Sequence, residues 1–383
     1  MNSRERHEAR RCRREADREY KRAKRVESLT LDAVASLDNL HKAAHEASRG
    51  VSWKSSVQRY MVRELQNIVR ARHQLQDGED IRRGFNEFDV VERGKRRHIM
   101  SVKYSERVIQ KSYSQNVLVP ALTASFIRNN TANTKGRGTD DAIRRIKRDL
   151  VRHYRRHGRE GYILLVDFSD YFASIPHGTL RSIVCRAVAD RRALALGLAF
   201  IDATDVGLGL GSEPNQVMAV AFPGAIDHMV TETCGIEAYG RYMDDSYAIA
   251  PDKETLVATL ARIREKCAEL GIAVNEKKTR IVKLSKGFTW LKKRIGYGEN
   301  GRIVIRPSRE SITRERRKLK KHAKMVAGGA MTLEQARQSY QSWRGGMKRL
   351  DAHRTVLAMD RLWRDLFREF EGGVFVEALN KAA

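Results

Sequence analysis

The sequence predicts a mixed α+β chain with a basic helical N-terminal extension. Both flanks of the chain carry apolar residues at helical spacing, while the middle carries short β-prone runs broken by Gly, Pro and Asp. A third observation bears on partners: 74 Lys plus Arg against 47 Asp plus Glu in 383 residues leave a formal charge of +27. With 41% hydrophobic and 32% charged residues the composition is that of a soluble globular protein, not a collagen-like, mucin-like or membrane-embedded one. So much unbalanced positive charge places the chain beside a polyanion, and nucleic acid is the first choice. The length suffices for two or three structural units.

Residues 1–25 hold eleven Lys/Arg and five Asp/Glu with almost nothing to bury, which predicts a solvated basic arm able to lie on RNA or DNA. From Leu29 to about Val69 the spacing of Leu31, Val34, Leu37, Leu40 and Ala44, then Val57, Met61, Leu65 and Ile68, predicts amphipathic helices. Residues 84–100 alternate as a hairpin around Gly94-Lys95 and carry Lys95, Arg96 and Arg97. Helical spacing returns at 105–122. A turn follows at 135–138, with Thr139 as the N-cap of a helix through about Tyr154. Tyr162–Val166 is a fully apolar run, read as a strand buried on both faces, and it ends on Asp167.

Residues 236–250 read as a hairpin with Asp244 and Asp245 at its tip. Leu256, Leu260, Ile263, Cys267 and Leu270 then mark a helix that Gly271 stops. Short strands are expected at 272–275, 279–284 and 288–295. The chain is helical and basic again over 306–325, with nine Lys/Arg against two Glu. Thr332 and Gln335 have capping-box spacing. The last helix presents Val356, Met359, Leu362, Trp363, Leu366 and Phe370 on one side.

Cys12, Cys185, Cys234 and Cys267 are too scattered for a zinc ribbon or a disulfide framework and read as reduced cytosolic thiols. No apolar leader and no run of about 18 apolar residues occurs, so a cytoplasmic protein without a membrane span is expected. His153 and His157 share a helical spacing, but no Glu sits beside the first and both lie among arginines, so a metal site is not expected there.

The chemistry concentrates in three acids. Asp167 terminates a buried strand, and Asp244 and Asp245 form a like-charged pair at a hairpin tip. Carboxylates at the ends of apolar strands are costly unless compensated, and adjacent ones repel. A divalent cation such as Mg²⁺ is the natural compensator, since it takes carboxylate oxygens together with substrate phosphates. A pair of such ions can activate a 3′-hydroxyl and stabilise a leaving pyrophosphate.

Tyr242-Met243-Asp244-Asp245 is identical to the YMDD box of reverse transcriptases, and DFSDYFASIPH (167–177) resembles their first carboxylate motif. GLGLGSEPNQVMA (207–219) resembles the template- and nucleotide-positioning motif, while VNEKKT (274–279) and GFTWLKK (287–293) resemble the Lys-containing and primer-grip segments. RHIMSVKYSERVIQK (97–111) and NTKGRGTDDAI (133–143) resemble finger motifs of bacterial retroelement enzymes. The ordered set spans about residues 50–345. LGSEPNQ is most similar to the LGxxxSQ of diversity-generating retroelement enzymes, departing at Asn215, and phage-borne and defence-associated reverse transcriptases are equally similar.

The resemblance implies a right-hand polymerase: a basic helical N-terminal extension (1–50), fingers (51–155), a palm with an antiparallel sheet (156–298, with a fingers segment at 178–210) and a helical thumb (299–383). It implies an RNA-directed DNA polymerase, with Mg²⁺ or Mn²⁺ held as two ions by Asp167, Asp244 and Asp245, and Phe168 placed in both the metal set and the nucleotide pocket. Phe172 matches the steric gate that excludes a 2′-hydroxyl, Gln216 and Gly211 approach the nucleotide, Lys95 and Arg97 grip its triphosphate, and Lys278 stabilises pyrophosphate. Implied partners are an RNA template, a DNA product and dNTPs, with room for a cognate non-coding RNA and an accessory protein in a retroelement or antiviral defence setting. No endonuclease, RNase H-like or integrase segment is recognised. The rival readings are a non-catalytic RNA-binding scaffold on a polymerase fold, which the intact acids oppose, and an RNA-templated RNA polymerase, which Phe172 opposes. Trp343 resembles a thumb segment of prophage enzymes and reads physically as helix-packing core.

Overall fold

The computed structural model describes residues 3–92, 94–134 and 136–370. Their strands are β1 (Phe85–Glu92), β2 (Lys95–Val102), β3 (Tyr162–Val166), β4 (Ala238–Tyr242), β5 (Asp245–Ala250), β6 (Arg280–Lys283), β7 (Phe288–Trp290), β8 (Lys293–Tyr297) and β9 (Ile303–Pro307). β1 with β2, β3 with β6, and β7 and β9 with β8 all pair antiparallel. Helices supply most of the remainder, so the chain is a mixture of helix and antiparallel sheet. It divides into two compact units, one within Met1–Arg145, Val166–Ala248 and Val257–Thr279, the other within Ile146–Leu165, Ile249–Leu256 and Arg280–Ala383.

In the first unit the basic arm is the helix Ser3–Ser28, exposed over almost all of its described length. The helices Leu37–Ser48, Glu64–Gln76 and Tyr104–Tyr113 then build a core from Leu40, Ala44, Ile68, Val108 and Tyr113. Two hydroxyls tie Tyr104–Tyr113 to its neighbours: Tyr104 donates to the Ala44 carbonyl at 2.7 Å, and Ser112 to that of Val34, on the short helix Leu31–Ala35, at 2.8 Å. The helix expected over 105–122 is not uniform. It widens into a π turn at Ser114–Leu118, immediately before Pro120, whose missing N–H cannot continue the α-helical ladder.

The hairpin of β1 and β2 forms as predicted and is laced by ions. Arg96 pairs with Asp89, Arg97 Nη-bearing side chain reaches Glu92 through Nε at 3.3 Å, and His98 lies 3.2 Å from Glu87. The side chain of Lys95 and residue 135 of the predicted turn lie outside the described residues. Of the strands expected after Gly271, 272–275 forms only one bridge, Phe168 to Val274. The reason is a turn: the Lys278 and Thr279 N–H groups both fold back on the Asn275 carbonyl, so the ladder begins at Arg280.

β3 lies between β5 and β6 in its sheet, and its consecutive residues Ile163–Val166 are buried on both faces, which accounts for its uninterrupted apolar sequence. His153 is buried and its Nε2 lies 2.7 Å from the Glu160 carbonyl, so it serves the turn before β3. The basic stretch is the helix Arg309–Ala327, capped by Ser308. It buries Leu319 and exposes Arg314, Arg316, Arg317, Lys320, Lys321 and Lys324. The capping box at Thr332–Gln335 is formed. In the last helix, His353–Phe367, the buried positions are Met359, Trp363 and Phe367. Phe370 lies beyond the helix end and is 38% exposed. Trp363 stacks on Tyr340 at 5.1 Å and on Phe367 at 4.0 Å, while Trp343 stacks on Tyr340 at 5.8 Å as part of the same core.

All four cysteines are free, and among the described residues no helix is long and apolar enough to cross a membrane. Trp363→Ala empties the centre of the three-helix core and should cost about 3–5 kcal/mol. Urea unfolding followed by circular dichroism checks this, and an unchanged midpoint would remove Trp363 from its central place.

Candidate active site

Asp167 is the first residue after β3 and is 7% exposed. Its backbone is held on both sides: the N–H faces the Thr279 hydroxyl at 3.4 Å, and the carbonyl accepts from the Asn275 N–H at 2.7 Å. The turn at 275–279 brings Lys278 Nζ to Asp167 Oδ1 at 2.5 Å. Burial alone would lower the Lys278 pKa, but the hydrogen bond and charge of Asp167, with the charges of Asp244 and Asp245, hold it above the ordinary lysine value. Lys278 is therefore cationic at neutral pH.

Asp244 lies in the turn between β4 and β5, and Asp245 is the first residue of β5. Burial raises the pKa of Asp244, and the charge of Asp167 raises it further against the opposing charges of Lys278 and Arg97. Asp245 is pushed up to about 7, first by burial, then by the charges of Asp244 and Asp167. The three predicted acids thus form one electrostatic cluster. Among the described residues, its direct ion pair is Lys278 with Asp167.

A cluster of oxygen ligands carrying more negative charge than its neighbours neutralise suits a hard divalent cation. Asp167, Asp244 and Asp245 are the residues that would hold it. Phe168 lies beside them in sequence with its ring buried, 5.3 Å from that of Tyr171.

The tip of the hairpin is set by a residue the sequence reading passed over. Arg241, on β4, is fully buried against Asp227, with Nε at 2.8 Å from Oδ1 and Nη2 at 2.7 Å from Oδ2. Tyr239 donates its hydroxyl to the same carboxylate at 2.8 Å. The remaining guanidinium donors go to backbone: Nη2 to the Val220 carbonyl and Nη1 to that of Met243, both at 2.9 Å. Met243 has φ 56°, a left-handed conformation uncommon for a residue with a long side chain. Arg241 clamps that turn immediately before Asp244. Its only sequence signal was an arginine within an otherwise β-prone hairpin arm.

Of the predicted nucleotide-pocket positions, Phe172, Gly211 and the strand of Arg97 lie on a second network. The Leu208 N–H donates to the Phe172 carbonyl at 2.7 Å, and the Met100 N–H on β2 donates to the Leu210 carbonyl at 2.8 Å. The loop 207–211 is thereby stitched both to half-buried Phe172 and to the strand carrying Arg97. Glycine is required where the stitching is tightest. A Cβ at Gly207 (φ 65°) would stand 2.5 Å from the Ala173 carbonyl oxygen, and one at Gly211 (φ 127°) 2.7 Å from that of Met100. Asn215 is buried and donates to the Gly209 carbonyl at 3.0 Å, bracing the loop, whereas Gln216 next to it is exposed. Arg97 is exposed on the hairpin, yet its charge reaches Asp244.

No family model matches the chain, and no curated protein matches it. Among solved structures it is similar to the apo telomerase of Candida tropicalis truncated from its C-terminal domain, at 14% identity and TM-score 0.45, over 58% of this chain and 55% of that one. It is also similar to the telomerase of Candida albicans in complex with a TWJ fragment of telomeric RNA, at 12% identity and TM-score 0.45, over 75% and 55% of the two chains. A further similarity is to apo telomerase of Candida tropicalis, at 13% identity and TM-score 0.43, over 58% and 48%. The chain spans about half the length of these structures.

Arg241→Met strands the Asp227 carboxylate in the interior and should cost about 3–5 kcal/mol, whereas the paired change Asp227→Leu/Arg241→Met should recover most of that stability. Urea melts of the two variants decide it: equal destabilisation would contradict the desolvated-pair account.

Proposed function

We propose that the chain is an RNA-directed DNA polymerase of the bacterial or phage retroelement type, extending a primer 3′-end on an RNA template with dNTPs. The observation that carries this reading is the Asp167, Asp244 and Asp245 cluster joined to Lys278, on a hairpin whose sequence is YMDD. The right-hand division into fingers, palm and thumb, and the place in a diversity-generating or defence system, rest on the motif resemblance, above all on LGSEPNQ.

Bound at Asp167, Asp244 and Asp245, Mg²⁺ or Mn²⁺ would supply Lewis-acid stabilisation of the attacking and leaving oxygens. The chain's own residues do the rest. Lys278, protonated at neutral pH, donates to the leaving pyrophosphate, and Arg97 on β2 takes the triphosphate in place of Glu92. The ring of Phe172, held where its carbonyl anchors Leu208, fills the space a ribose 2′-hydroxyl would need. Gly211 lets the backbone approach the nucleotide and Gln216 presents its amide from the helix Glu213–Ala221. Arg241 acts through the Met243 turn and is a positioning residue.

The direct experiment incubates the protein with an RNA template, a DNA primer, Mg²⁺ and labelled dNTPs or rNTPs. Incorporation of dNTPs is expected, with Asp244→Ala reducing it to background while template binding survives. Full activity in that variant would sink the assignment, and background activity in the native protein would leave a binding scaffold.

Phe172→Ala should admit ribonucleotides, so unchanged sugar selectivity would remove the gate role. Asp227→Leu/Arg241→Met should stay poorly active despite its recovered fold, which separates positioning from stability. Template affinity should fall with salt on a log–log slope of about −0.7 per single-strand phosphate contact, less steeply when Lys320 and Lys321 are replaced by Ala.

A further inference from the structure

A second cluster of ligand atoms lies in the N-terminal helical region, among residues no motif covers. His41 and His45 are four apart on the helix Leu37–Ser48 and so share a face, their ring centroids 4.6 Å apart. Glu64, the first residue of the helix Glu64–Gln76, meets them: its Oε1 lies 2.8 Å from His41 Nδ1 and 3.2 Å from His45 Nε2. One ligand atom from each residue falls within 4.8 Å of the others.

That carboxylate oxygen is buried and makes no hydrogen bond, although two imidazole nitrogens flank it. The imidazoles are half-exposed, at 55% and 52%, so the cluster opens to solvent. A buried acceptor flanked by two nitrogens off hydrogen-bonding geometry is what a cation between them would resolve. In a tetrahedral zinc site the bond lengths place neighbouring ligand atoms about 3.3 Å apart; here the Glu64 oxygen lies 2.8 and 3.2 Å from the two nitrogens, and all three ligand atoms fall within 4.8 Å of one another. Two imidazoles with one carboxylate is a donor set that zinc accepts, leaving the fourth position for water. Mg²⁺ prefers all-oxygen ligands and would take the three aspartates instead.

We propose that His41, His45 and Glu64 form a zinc site that fastens the helix Leu37–Ser48 to the helix Glu64–Gln76. Nδ1 of His41 and Nε2 of His45 would ligate through their lone pairs, and Glu64 supplies the carboxylate oxygen. The site is separate from the aspartate cluster, so it stands or falls independently of the polymerase reading.

The test uses the full chain stripped with EDTA and returned to chelator-free buffer containing excess Mg²⁺. Titration with ZnCl₂ followed by calorimetry should show one more equivalent bound by the native protein than by His41→Ala/His45→Ala. Zinc at a hundredfold over its Kd should raise the native melting midpoint by about 5 °C and leave the double variant unmoved. Glu64→Gln, which keeps the shape of the side chain, should weaken binding at least tenfold. Co²⁺ should give the visible absorption of a four-coordinate site in the native protein alone. Equal zinc stoichiometry in native and variant protein, or a midpoint indifferent to zinc, would overturn the proposal and leave the cluster as an imidazole–carboxylate contact.

Discussion

The buried pair of Arg241 and Asp227 is the interaction on which the candidate site rests. Taking a guanidinium and a carboxylate out of water costs several kcal/mol per ion, and only near-complete hydrogen bonding offsets it. The network supplies that bonding from several places in the chain: the Asp227 carboxylate, the Tyr239 hydroxyl on that carboxylate, and the carbonyls of Val220 and Met243. The backbone of Arg241 is also engaged, its N–H donating to the Asn129 carbonyl and its own carbonyl accepting from the Thr131 N–H. One residue therefore ties the helix Glu213–Ala221, the segment 129–131 and the β4–β5 turn together. Because the left-handed turn at Met243, with φ 56°, directly precedes Asp244 and Asp245, the position of both acids depends on a cation that bonds to the turn and not to either carboxylate.

The loop 207–211 plays the corresponding part for the segment around Phe172 and for β2. Its bonds to Met100 and Phe172 place three elements far apart in sequence in one frame. A side chain at Gly207 or Gly211 would push into a carbonyl oxygen, so the frame can close only with glycine there. Asn215 gains a meaning from the same geometry. Its amide reaches the Gly209 carbonyl, a span a serine hydroxyl at that position would not cover in the same way, so the departure from LGxxxSQ accompanies a brace on the loop.

What was legible in the sequence was whatever local periodicity controls. The apolar run before Asp167, the helix stopped by Gly271, the capping box at Thr332 and the charged hairpin are all written in consecutive residues, and each is present. The placement of the three acids was legible for the same reason, since they lie at the ends of recognisable strands. What escaped depends on partners distant in the chain. Asp227 lies 14 residues from Arg241, and Glu64 meets His41 and His45 across two helices, so no local pattern flags either cluster. The π turn before Pro120, the lone bridge at Val274 and the exchange of Phe370 for Phe367 show the remaining failure: spacing identifies a face, not where a turn breaks it.

Burial also divides the cations by role. Arg241 is 0% exposed at its side chain and bonded on every side, so releasing it would leave a charge stranded in the interior. Arg97 and Lys278 are 49% and 48% exposed and also rest on carboxylates, Glu92 and Asp167. Ion pairs that open to water are worth roughly 0–1 kcal/mol, so Arg97 can leave Glu92 at little cost. Asp167, by contrast, is itself buried and would keep an unpaired charge if Lys278 left with no cation to replace it. A polyphosphate offers more charge and more acceptor oxygens than the single carboxylate it would displace. The same chemistry, a basic side chain on an acid, is thus fixed scaffold where water is excluded and an exchangeable grip where it is not, and Arg97 on Glu92 is on the exchangeable side of that line.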